Sequence, residues 1–349
     1  MERAKTRKVR VGDIFIGGDS PISVQSMTNT DTRDIPSTVS QILKLEEAGC
    51  DIVRCAVPDE EAGEALRKII LQIHVPLVAD IHFDSALALL SIRNGVSKLR
   101  INPGNIGKKE KVRAVAEAAK DRGIPIRIGV NSGSLQKDIL AKYGRVCPEA
   151  MVESAMRHVE MLEEFDFHDI VLSVKSSDVR EMIECYRLIS GKVDYPLHIG
   201  VTESGTIRKG TIRSSVGIGA LLAEGIGDTI RVSLTGDPVE EVRVGRDILA
   251  SLGDIRGEAE MISCPTCGRT RLDLIRIAGE VEKRLQSVHK PIKVAVMGCA
   301  VNGPGEAARA DIGIAGGNGE GLIFRKGQIL RKVKEEDLVE ELMKEIEKM

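Results

Sequence analysis

The chain of 349 residues contains no tryptophan, and aromatic residues make up only 2% of it. Stacked aromatic side chains, on which many proteins bind single-stranded nucleic acid, are therefore scarce. The 50 basic and 52 acidic side chains leave a net charge of −2, which does not favour binding to nucleic acid or to an anionic membrane surface. The hydrophobic core must therefore consist of isoleucine, valine, leucine and alanine.

Long apolar segments are missing as well. No run approaches the roughly 18 residues of a membrane-spanning helix, and the segment from Met1 to Lys8 lacks the apolar stretch of a signal peptide. The seven cysteines are an odd number, and no extracellular signature accompanies them. We therefore predict a cytoplasmic protein with reduced thiols.

Three of the cysteines stand in a pattern that is typical of soft metal sites. Cys264 and Cys267 form a Cys-x-x-Cys pair, a third thiol follows at Cys299, and Glu306 lies a few residues further on. A structural zinc site usually has four protein ligands in two matched pairs, and the second pair is missing here. Three thiolates and one carboxylate favour an iron–sulfur cluster over zinc. The other cysteines are scattered and are predicted to be small buried side chains without a chemical role: Cys50, Cys55, Cys147 and Cys185.

Residues 22–253 repeat one pattern of an apolar strand, a polar strand end and an amphipathic helix. The predicted strands are Ile22–Met27, Asp51–Val57, Leu77–His82, Ser97–Asn102, Ile126–Asn131, Asp169–Lys175, Leu197–Thr202 and Thr229–Leu234. Eight strands that alternate with helices predict a (β/α)8 TIM barrel, in preference to a doubly wound open sheet. Residues 9–18 are predicted to form a hairpin that plugs the barrel floor, and residues 132–168 an insertion with two helices.

Parallel strands that are buried on both faces should be almost wholly apolar, but these strands end in polar side chains. Twelve such residues lie within a predicted strand or directly after it, most of them in its second half or beyond: Arg54, Asp80, His82, Arg100, Asn102, Arg127, Asn131, Lys175, His198, Glu203, Arg231 and Ser233. In a barrel, the carboxyl ends of the strands meet at the catalytic mouth. Because arginine and lysine outnumber the acidic residues, we predict that this mouth binds an anion with several charges, such as a diphosphate. The two acidic residues are then available for orienting a cation or for proton transfer.

The polar segment Asp254–Glu260 is predicted to be a linker. It separates a substrate-binding barrel domain, residues 1–255, from a small α+β domain, residues 256–349, that carries the cysteine motif. The predicted elements of this second domain are a helix near residues 271–286, strands Ile292–Met297 and Asp311–Ala315, a hairpin from Gly321 to Val333 and a charged helix from Glu335.

Seven motifs, in this order, resemble those of the bacterial 4-hydroxy-3-methylbut-2-enyl diphosphate synthase family, whose reaction is the penultimate step of the non-mevalonate isoprenoid pathway. They are VQSMT from Val24, ADIHF from Ala79, RINPGN from Arg100, GVNSG from Gly129, HIGVTE from His198, CPTCGRT from Cys264 and GCAVNGPGE from Gly298. The resemblance extends over nearly the whole chain and fits the two-domain form of the family.

The resemblance implies a two-electron reductive ring opening of 2-C-methyl-D-erythritol 2,4-cyclodiphosphate with loss of water. It implies a [4Fe–4S] cluster held by Cys264, Cys267, Cys299 and Glu306, with Asn302 touching the substrate oxygen that reaches iron. It also implies that Glu203 is placed for proton transfer and that the diphosphate is held by Arg54, His82, Arg100, Arg127, Asn131, Lys175, Arg231 and Ser233. The implied electron donor is ferredoxin or flavodoxin. The implied assembly is a homodimer in which the cluster domain of one chain closes the barrel of the other.

Two other interpretations remain open from the residues alone. One is a phosphate-binding barrel with a zinc-ribbon-like module for protein contacts, which would give a colourless protein that contains zinc. The other is a pterin or phosphosugar enzyme whose cysteine domain is purely structural, so that truncation near the predicted linker would leave catalysis intact.

Overall fold

The structure is a computed structural model that describes residues 3–254, 259–288, 290–299, 310–317 and 319–349. The chain divides into two compact units, Met1–Leu252 and Gly253–Met349. None of the described helices combines the length and the apolar character that crossing a membrane requires.

In the described residues of the first unit, a short hairpin precedes an eight-stranded parallel barrel. The hairpin consists of β1 (Val9–Val11) and β2 (Ile14–Ile16), and the barrel strands are β3 (Ser23–Met27), β4 (Ile52–Ala56), β5 (Leu77–Asp80), β6 (Lys98–Ile101), β7 (Ile126–Asn131), β8 (Ile170–Lys175), β9 (His198–Ile199) and β10 (Thr229–Ile230). The barrel strands pair in the order β8-β7-β6-β5-β4-β3-β10-β9. A bridge between Leu172 and Leu197 joins the two edges, so the sheet nearly closes on itself. The predicted barrel is confirmed.

Helices connect the strands and cover the barrel. They are α1 (Ile35–Glu47), α2 (Glu60–Ile70), α3 (Ser85–Arg93), α4 (Pro103–Ile106), α5 (Lys109–Asp121), α6 (Lys137–Tyr143), α7 (Pro148–Glu163), α8 (Val179–Ser190), α9 (Ile207–Ala223) and α10 (Pro238–Ser251). Several begin after an aspartate whose carboxylate accepts a hydrogen bond from a main-chain N–H of the first turn: Asp34, Asp59, Asp84, Asp178 and Asp237. Helices α6 and α7 form the insertion that the sequence predicts after β7.

The hairpin lies at the amino-terminal ends of the barrel strands. Val11 and Ile16 are fully buried and pack against Ile52 of β4 and Val78 of β5. The hairpin therefore plugs the floor of the barrel, as predicted. The main core lies between strands and helices and is almost wholly aliphatic.

Strands β9 and β10 are shorter than predicted. The sequence predicts Leu197–Thr202 and Thr229–Leu234, whereas only two residues of each are paired as a strand. Beyond β10, the main-chain N–H of Leu234 donates to the carboxylate of Glu241 (2.9 Å) instead of to a neighbouring strand. Beyond β9, Glu203 adopts the left-handed conformation (φ 52°), which interrupts the extended main chain.

The second unit is an α+β fold with a five-stranded sheet in its described residues. Its elements are β11 (Glu260–Ser263), α11 (Leu274–Leu285), β12 (Lys293–Met297), β13 (Ile312–Gly316), β14 (Glu320–Arg325), β15 (Gln328–Lys334) and α12 (Leu338–Glu347). Strands β11, β12 and β13 are parallel neighbours, and β14 and β15 continue the sheet antiparallel. Ile277 and Leu342 of the helices pack with Val294 and Ile314 of the sheet. The sequence did not predict β11, because this short edge strand has half-exposed side chains without alternation.

Candidate functional site

The charged side chains of β4, β5 and β6 meet inside the barrel. Asp80 and Arg100 are opposite each other in register on β5 and β6. The Asp80 carboxylate lies 3.0 Å from the Arg100 guanidinium and 3.7 Å from that of Arg54, and it is almost completely buried. His82, which is mostly exposed, lies 3.4 Å from the same carboxylate. Burial raises the pKa of Asp80, but Arg54, His82 and Arg100 outweigh this effect and hold that pKa well below its ordinary value.

Replacing Asp80 with asparagine should lower the free energy of unfolding at neutral pH by about 3 kcal/mol. The reason is that Arg54 and Arg100 would lose their buried counter-charge. Because the folded-state pKa of Asp80 lies below the unfolded-state value, this stabilisation is present at neutral pH. It should fall once the pH drops below about 4, the pKa of an unfolded aspartate, and vanish at the folded-state pKa.

Urea unfolding of both proteins at neutral and acid pH measures this difference. The matched control is Asp138→Asn, which removes an exposed partner of Arg157 and should leave the free energy of unfolding nearly unchanged. Equal stability of D80N and the wild type at neutral pH would show that the pair does not hold the strands together.

Further basic side chains lie inside the barrel with no carboxylate within ion-pair distance among the described residues. Lys98, Arg127 and His198 are almost completely buried, and Lys175 is half-buried at the end of β8. Burial, reinforced by repulsion from neighbouring cations, holds the pKa values of all four well below their ordinary ranges. Two nitrogens of the Arg127 guanidinium and Nε2 of His198 have no hydrogen-bond partner in the described part of the chain. Such donors suit an anion that enters the barrel.

A buried carboxylate from helix α10 faces the arginine that follows β10. One oxygen of Glu241 lies 3.6 Å from the Arg231 guanidinium and accepts a hydrogen bond from the Ser26 hydroxyl (3.2 Å). The other oxygen accepts from the main chain of Leu234. Glu241 therefore fixes both the arginine and the loop behind it. Sequence reasoning missed Glu241, because nothing in the sequence distinguishes it from the neighbouring Glu240.

Arg213 of helix α9 ties together the loops that follow β8 and β9. It donates to the carbonyl oxygens of Ser177 (2.5 Å) and Ser204 (3.5 Å). Glu203 immediately precedes the second of these carbonyls and is exposed at the carboxyl end of β9. The arginine thus positions the loop that presents the Glu203 carboxylate. It lies inside a helix, away from any strand end, so the strand-end pattern did not reveal it.

Gly200 allows the chain after β9 to pass close to its neighbours. A Cβ atom at this position would lie 2.2 Å from the carbonyl oxygen of Arg231 and 3.1 Å from the Lys175 ammonium. Any side chain here would therefore displace the main chain or the lysine. The absence of a Cβ keeps the Lys175 ammonium in place at this point of the barrel.

The other predicted binding residues lie around this interior. Asn102 accepts a hydrogen bond from the main-chain N–H of Gly104 (3.1 Å), so its side chain caps α4. Asn131 is exposed at the end of β7. The carbonyl oxygen of Ser233 accepts a hydrogen bond from the Ser204 hydroxyl. For these residues a role in binding stays a prediction.

The charges inside the barrel are strongly unequal among the described residues. Two carboxylates, Asp80 and Glu241, lie within ion-pair distance of the interior cations. The cations are Arg54, Lys98, Arg100, Arg127, Lys175 and Arg231. This excess suits a ligand with several negative charges and would be left unbalanced by a single carboxylate.

In the second unit, neighbouring parallel strands bring the cysteine segments together. Cys264 follows β11 and Cys299 lies just beyond β12, so both stand at the carboxyl edge of the sheet. The main-chain N–H of Gly298 donates to the sulfur of Cys264 (3.2 Å). The loop that contains Cys267 is attached to the same glycine, because the N–H of Arg271 donates to its carbonyl oxygen (3.0 Å).

The chemistry of these donors suits a soft metal cluster. Hydrogen bonds from the main chain and then the side chain of Arg269 lower the pKa of Cys267, which favours its thiolate. Within the described ranges, however, no three His, Cys, Asp or Glu side chains are arranged to hold one metal ion. Glu306 and Asn302, which the sequence assigns to the same site, lie outside the described residues. The three cysteine segments are therefore adjacent, and the ligand set stays a prediction.

The four remaining cysteines are buried in the first unit, as predicted: Cys50, Cys55, Cys147 and Cys185. Burial raises the pKa of Cys50 and of Cys185 to about 12 and that of Cys55 to about 11. These three thiols are therefore protonated at neutral pH and poor metal ligands.

Two family models match the chain, one for each unit. The model described as the GcpE TIM-barrel domain matches residues 6–246. The chain belongs to the GcpE family. The model described as the GcpE protein C-terminal domain matches residues 260–348. Membership of the GcpE family confirms the resemblance that the seven sequence motifs carry.

Relatives within the GcpE family resemble the chain over its full length. A protein from Clostridium acetobutylicum named 4-hydroxy-3-methylbut-2-en-1-yl diphosphate synthase (flavodoxin) is 68% identical over 349 residues, 100% of both chains. A protein of the same name from Clostridium perfringens is 67% identical over 347 residues, 99% of both chains. The solved structure of 3-dehydroquinate dehydratase from Geobacillus kaustophilus is 13% identical with a TM-score of 0.51, and the match covers 72% of this chain and 100% of that one. At this identity, the solved structure supports the barrel fold alone.

Proposed function

We propose that this protein catalyses the reductive ring opening of 2-C-methyl-D-erythritol 2,4-cyclodiphosphate to 4-hydroxy-3-methylbut-2-enyl diphosphate. Two electrons and two protons enter, one C–O bond of the ring breaks, and one water leaves. The names of the full-length relatives support this assignment. The observation in this chain that carries it is the interior of the barrel, where cations outnumber carboxylates and several buried donors lack a partner among the described residues.

The barrel residues would bind and orient the substrate. Guanidinium groups offer paired N–H donors that match phosphate oxygens, and ammonium groups add point charges. The groups proposed to hold the diphosphate are Arg54, His82, Arg100, Arg127, Asn131, Lys175, Arg231 and Ser233, with Asp80, Asn102 and His198 around them. Asp80 would keep Arg54 and Arg100 in place, because its carboxylate already contacts both.

Glu203 is proposed to move a proton during the loss of water. It stands exposed at the end of β9, in a loop that Arg213 and the left-handed main chain hold in position. A carboxyl group at the mouth can exchange protons with solvent between turnovers. Asn302, which follows Cys299 in the sequence, is proposed to contact the substrate oxygen that would reach iron.

Cys264, Cys267, Cys299 and Glu306 are proposed to hold a [4Fe–4S] cluster. When bound, such a cluster supplies single electrons and a Lewis-acidic iron. The lowered pKa of Cys267 and the N–H donor to Cys264 support thiolate ligation in this chain. The domain of residues 1–255 would bind the substrate, and the domain of residues 256–349 would carry the cluster.

Flavodoxin is the proposed electron donor, with ferredoxin as the alternative, because the relatives bear flavodoxin in their names. We further propose that the enzyme works as a homodimer in the cytoplasm.

The decisive experiment combines metal analysis and product analysis under argon. The proposal expects iron and acid-labile sulfide in the purified protein, and 4-hydroxy-3-methylbut-2-enyl diphosphate from the cyclic diphosphate when reduced flavodoxin is supplied. A colourless protein that contains zinc and leaves the cyclic diphosphate unchanged would favour a barrel with a structural zinc module instead.

Replacing Glu306 with cysteine should preserve the cluster but lower turnover by at least about tenfold. A carboxylate is a weak ligand of iron and can leave when substrate arrives, whereas a fourth thiolate would stay bound. Iron and sulfide content and steady-state turnover should be measured on the same preparation. The control is Glu320→Cys, which adds an exposed thiol to the same unit at the start of β14. Full turnover in the Glu306 variant would refute the requirement for an exchangeable ligand.

A further inference from the structure

Lys98 is a buried lysine that the strand-end pattern did not single out. It opens β6, two residues before Arg100, and none of its surface is exposed. Its ammonium nitrogen lies 3.3 Å from the side-chain oxygen of Gln25 on β3. Among the described residues, no carboxylate lies within ion-pair distance of it. A buried ammonium without a counter-ion is costly, so this lysine needs another explanation.

The charged and titratable groups that face Lys98 are cationic or uncharged. Arg54 of β4 and Arg127 of β7 repel its charge, and Lys98 in turn acts on His198 of β9. Asp80 of β5, a carboxylate inside the barrel, contacts Arg54 and Arg100 instead. These neighbours therefore disfavour the charged form of Lys98.

Buried polar atoms without a partner lie near Lys98 on other strands. The side-chain N–H2 of Gln25, two guanidinium nitrogens of Arg127 and Nε2 of His198 are buried and have no hydrogen-bond partner in the described ranges. Nδ1 of His198 lies 3.4 Å from the Thr229 hydroxyl. Buried donors of this kind are normally satisfied, so their common partner is a group that enters from outside.

We propose that Lys98, Gln25, Arg127 and His198 form an inner subsite for one phosphate group, and that the phosphate binds together with a proton that Lys98 takes from solvent. The identity of the phosphate as one end of the cyclic diphosphate rests on the proposed function. The subsite itself rests on the buried donors.

The sign of the proton linkage follows from the surroundings of the lysine. Burial is the main cause that holds the pKa of Lys98 well below its ordinary value, and repulsion by Arg127 and Arg54 is the second cause. A phosphate beside the amine attracts its positive charge and outweighs the repulsion by the arginines, so the charged form of Lys98 becomes favourable. Phosphate binding therefore takes up a proton at any pH above the depressed pKa and below the pKa of the complex. The affinity decreases as the pH rises through this window.

The test is isothermal titration calorimetry of the holoenzyme under argon without a reductant, so that ligand binds but does not react. Inorganic pyrophosphate and the cyclic diphosphate are each titrated at mildly alkaline pH in buffers with different ionisation enthalpies. The dependence of the measured enthalpy on the buffer gives the number of protons taken up. For the wild type, we expect net uptake of protons with both ligands.

Lys98→Met should reduce the uptake by about one proton per ligand and weaken binding at least roughly tenfold. Lys98→Arg keeps a permanent charge, so it should also lose this proton but retain more of the affinity. Because a buried amine without a counter-ion adds little to stability, Lys98→Met should melt no lower than the wild type. Lys192→Met, which removes an exposed lysine after α8, is the matched control and should change neither quantity.

Unchanged proton uptake in both Lys98 variants would overturn the inference, as would a wild type that binds pyrophosphate without taking up protons. Failure of the proposed function has a different signature. In that case the wild type would not bind or convert the cyclic diphosphate, while pyrophosphate would still report on the subsite.

Discussion

Replacing Arg127 with methionine should lower kcat/KM for the cyclic diphosphate by roughly 100- to 1000-fold and leave the protein folded. Arg127 is almost completely buried on β7, opposite Arg100 in register, and two of its guanidinium nitrogens have no partner among the described residues. The contact that is lost is a charge-assisted one with an anionic phosphate group of the ring. Because burial already disfavours the charged guanidinium, the variant should melt no lower than the wild type.

Arg127→Lys is a variant with an intermediate change at the same position. It restores a charge without the paired N–H donors, so its kcat/KM should fall between those of the methionine variant and the wild type. Arg180→Met, on the exposed face of α8, is the matched control. Steady-state kinetics and thermal melting decide the outcome. A methionine variant that loses activity only because it melts far below the wild type would make Arg127 a structural residue and not a ligand-binding one.

The barrel could be predicted from the sequence because each strand repeats the same chemistry. Runs such as Ile126–Asn131 and Ile170–Lys175 consist mainly of apolar side chains and end in a polar residue at the mouth, and the structure has both strands. The limits of β9 and β10 could not be predicted, because they depend on contacts between distant residues. Glu241, on helix α10, accepts a hydrogen bond from the main-chain N–H of Leu234, and no local sequence pattern predicts this contact.

The residues of the candidate site were likewise only partly predictable from the sequence. Arg54, Asp80 and Arg100 follow the strand-end pattern, and their contacts confirm that the side chains converge. Lys98 could have been found, because side chains two residues apart on a strand share a face, and Arg100 already marks that face. Asn-Pro-Gly is also typical of a helix start, and the side chain of Asn102 caps α4, while its role in binding stays a prediction.

Replacing Cys264, Cys267 or Cys299 with serine, one at a time, should remove most of the iron and acid-labile sulfide and lower turnover by about 1000-fold or more. Serine preserves the size of the side chain but is not a soft thiolate ligand. The substitution should leave the second unit folded, because its core consists of Ile277, Val294 and other aliphatic side chains, and among the described residues the one thiol that packs against it, Cys264, is only partly buried.

Cys147→Ser is the matched control, because it changes a buried cysteine of the first unit at the N-cap of α7, where serine is well tolerated. Iron, sulfide and visible absorption report on the cluster, and circular dichroism reports on folding. A variant that retains its full iron and sulfide would remove that cysteine from the ligand set. Cys264 and Cys299 stand at the ends of neighbouring strands, whereas Cys267 lies on an exposed loop. A nearby oxygen ligand can therefore take the place of the Cys267 thiolate more easily than that of the other two. We therefore expect Cys267→Ser to retain the most iron of the three variants.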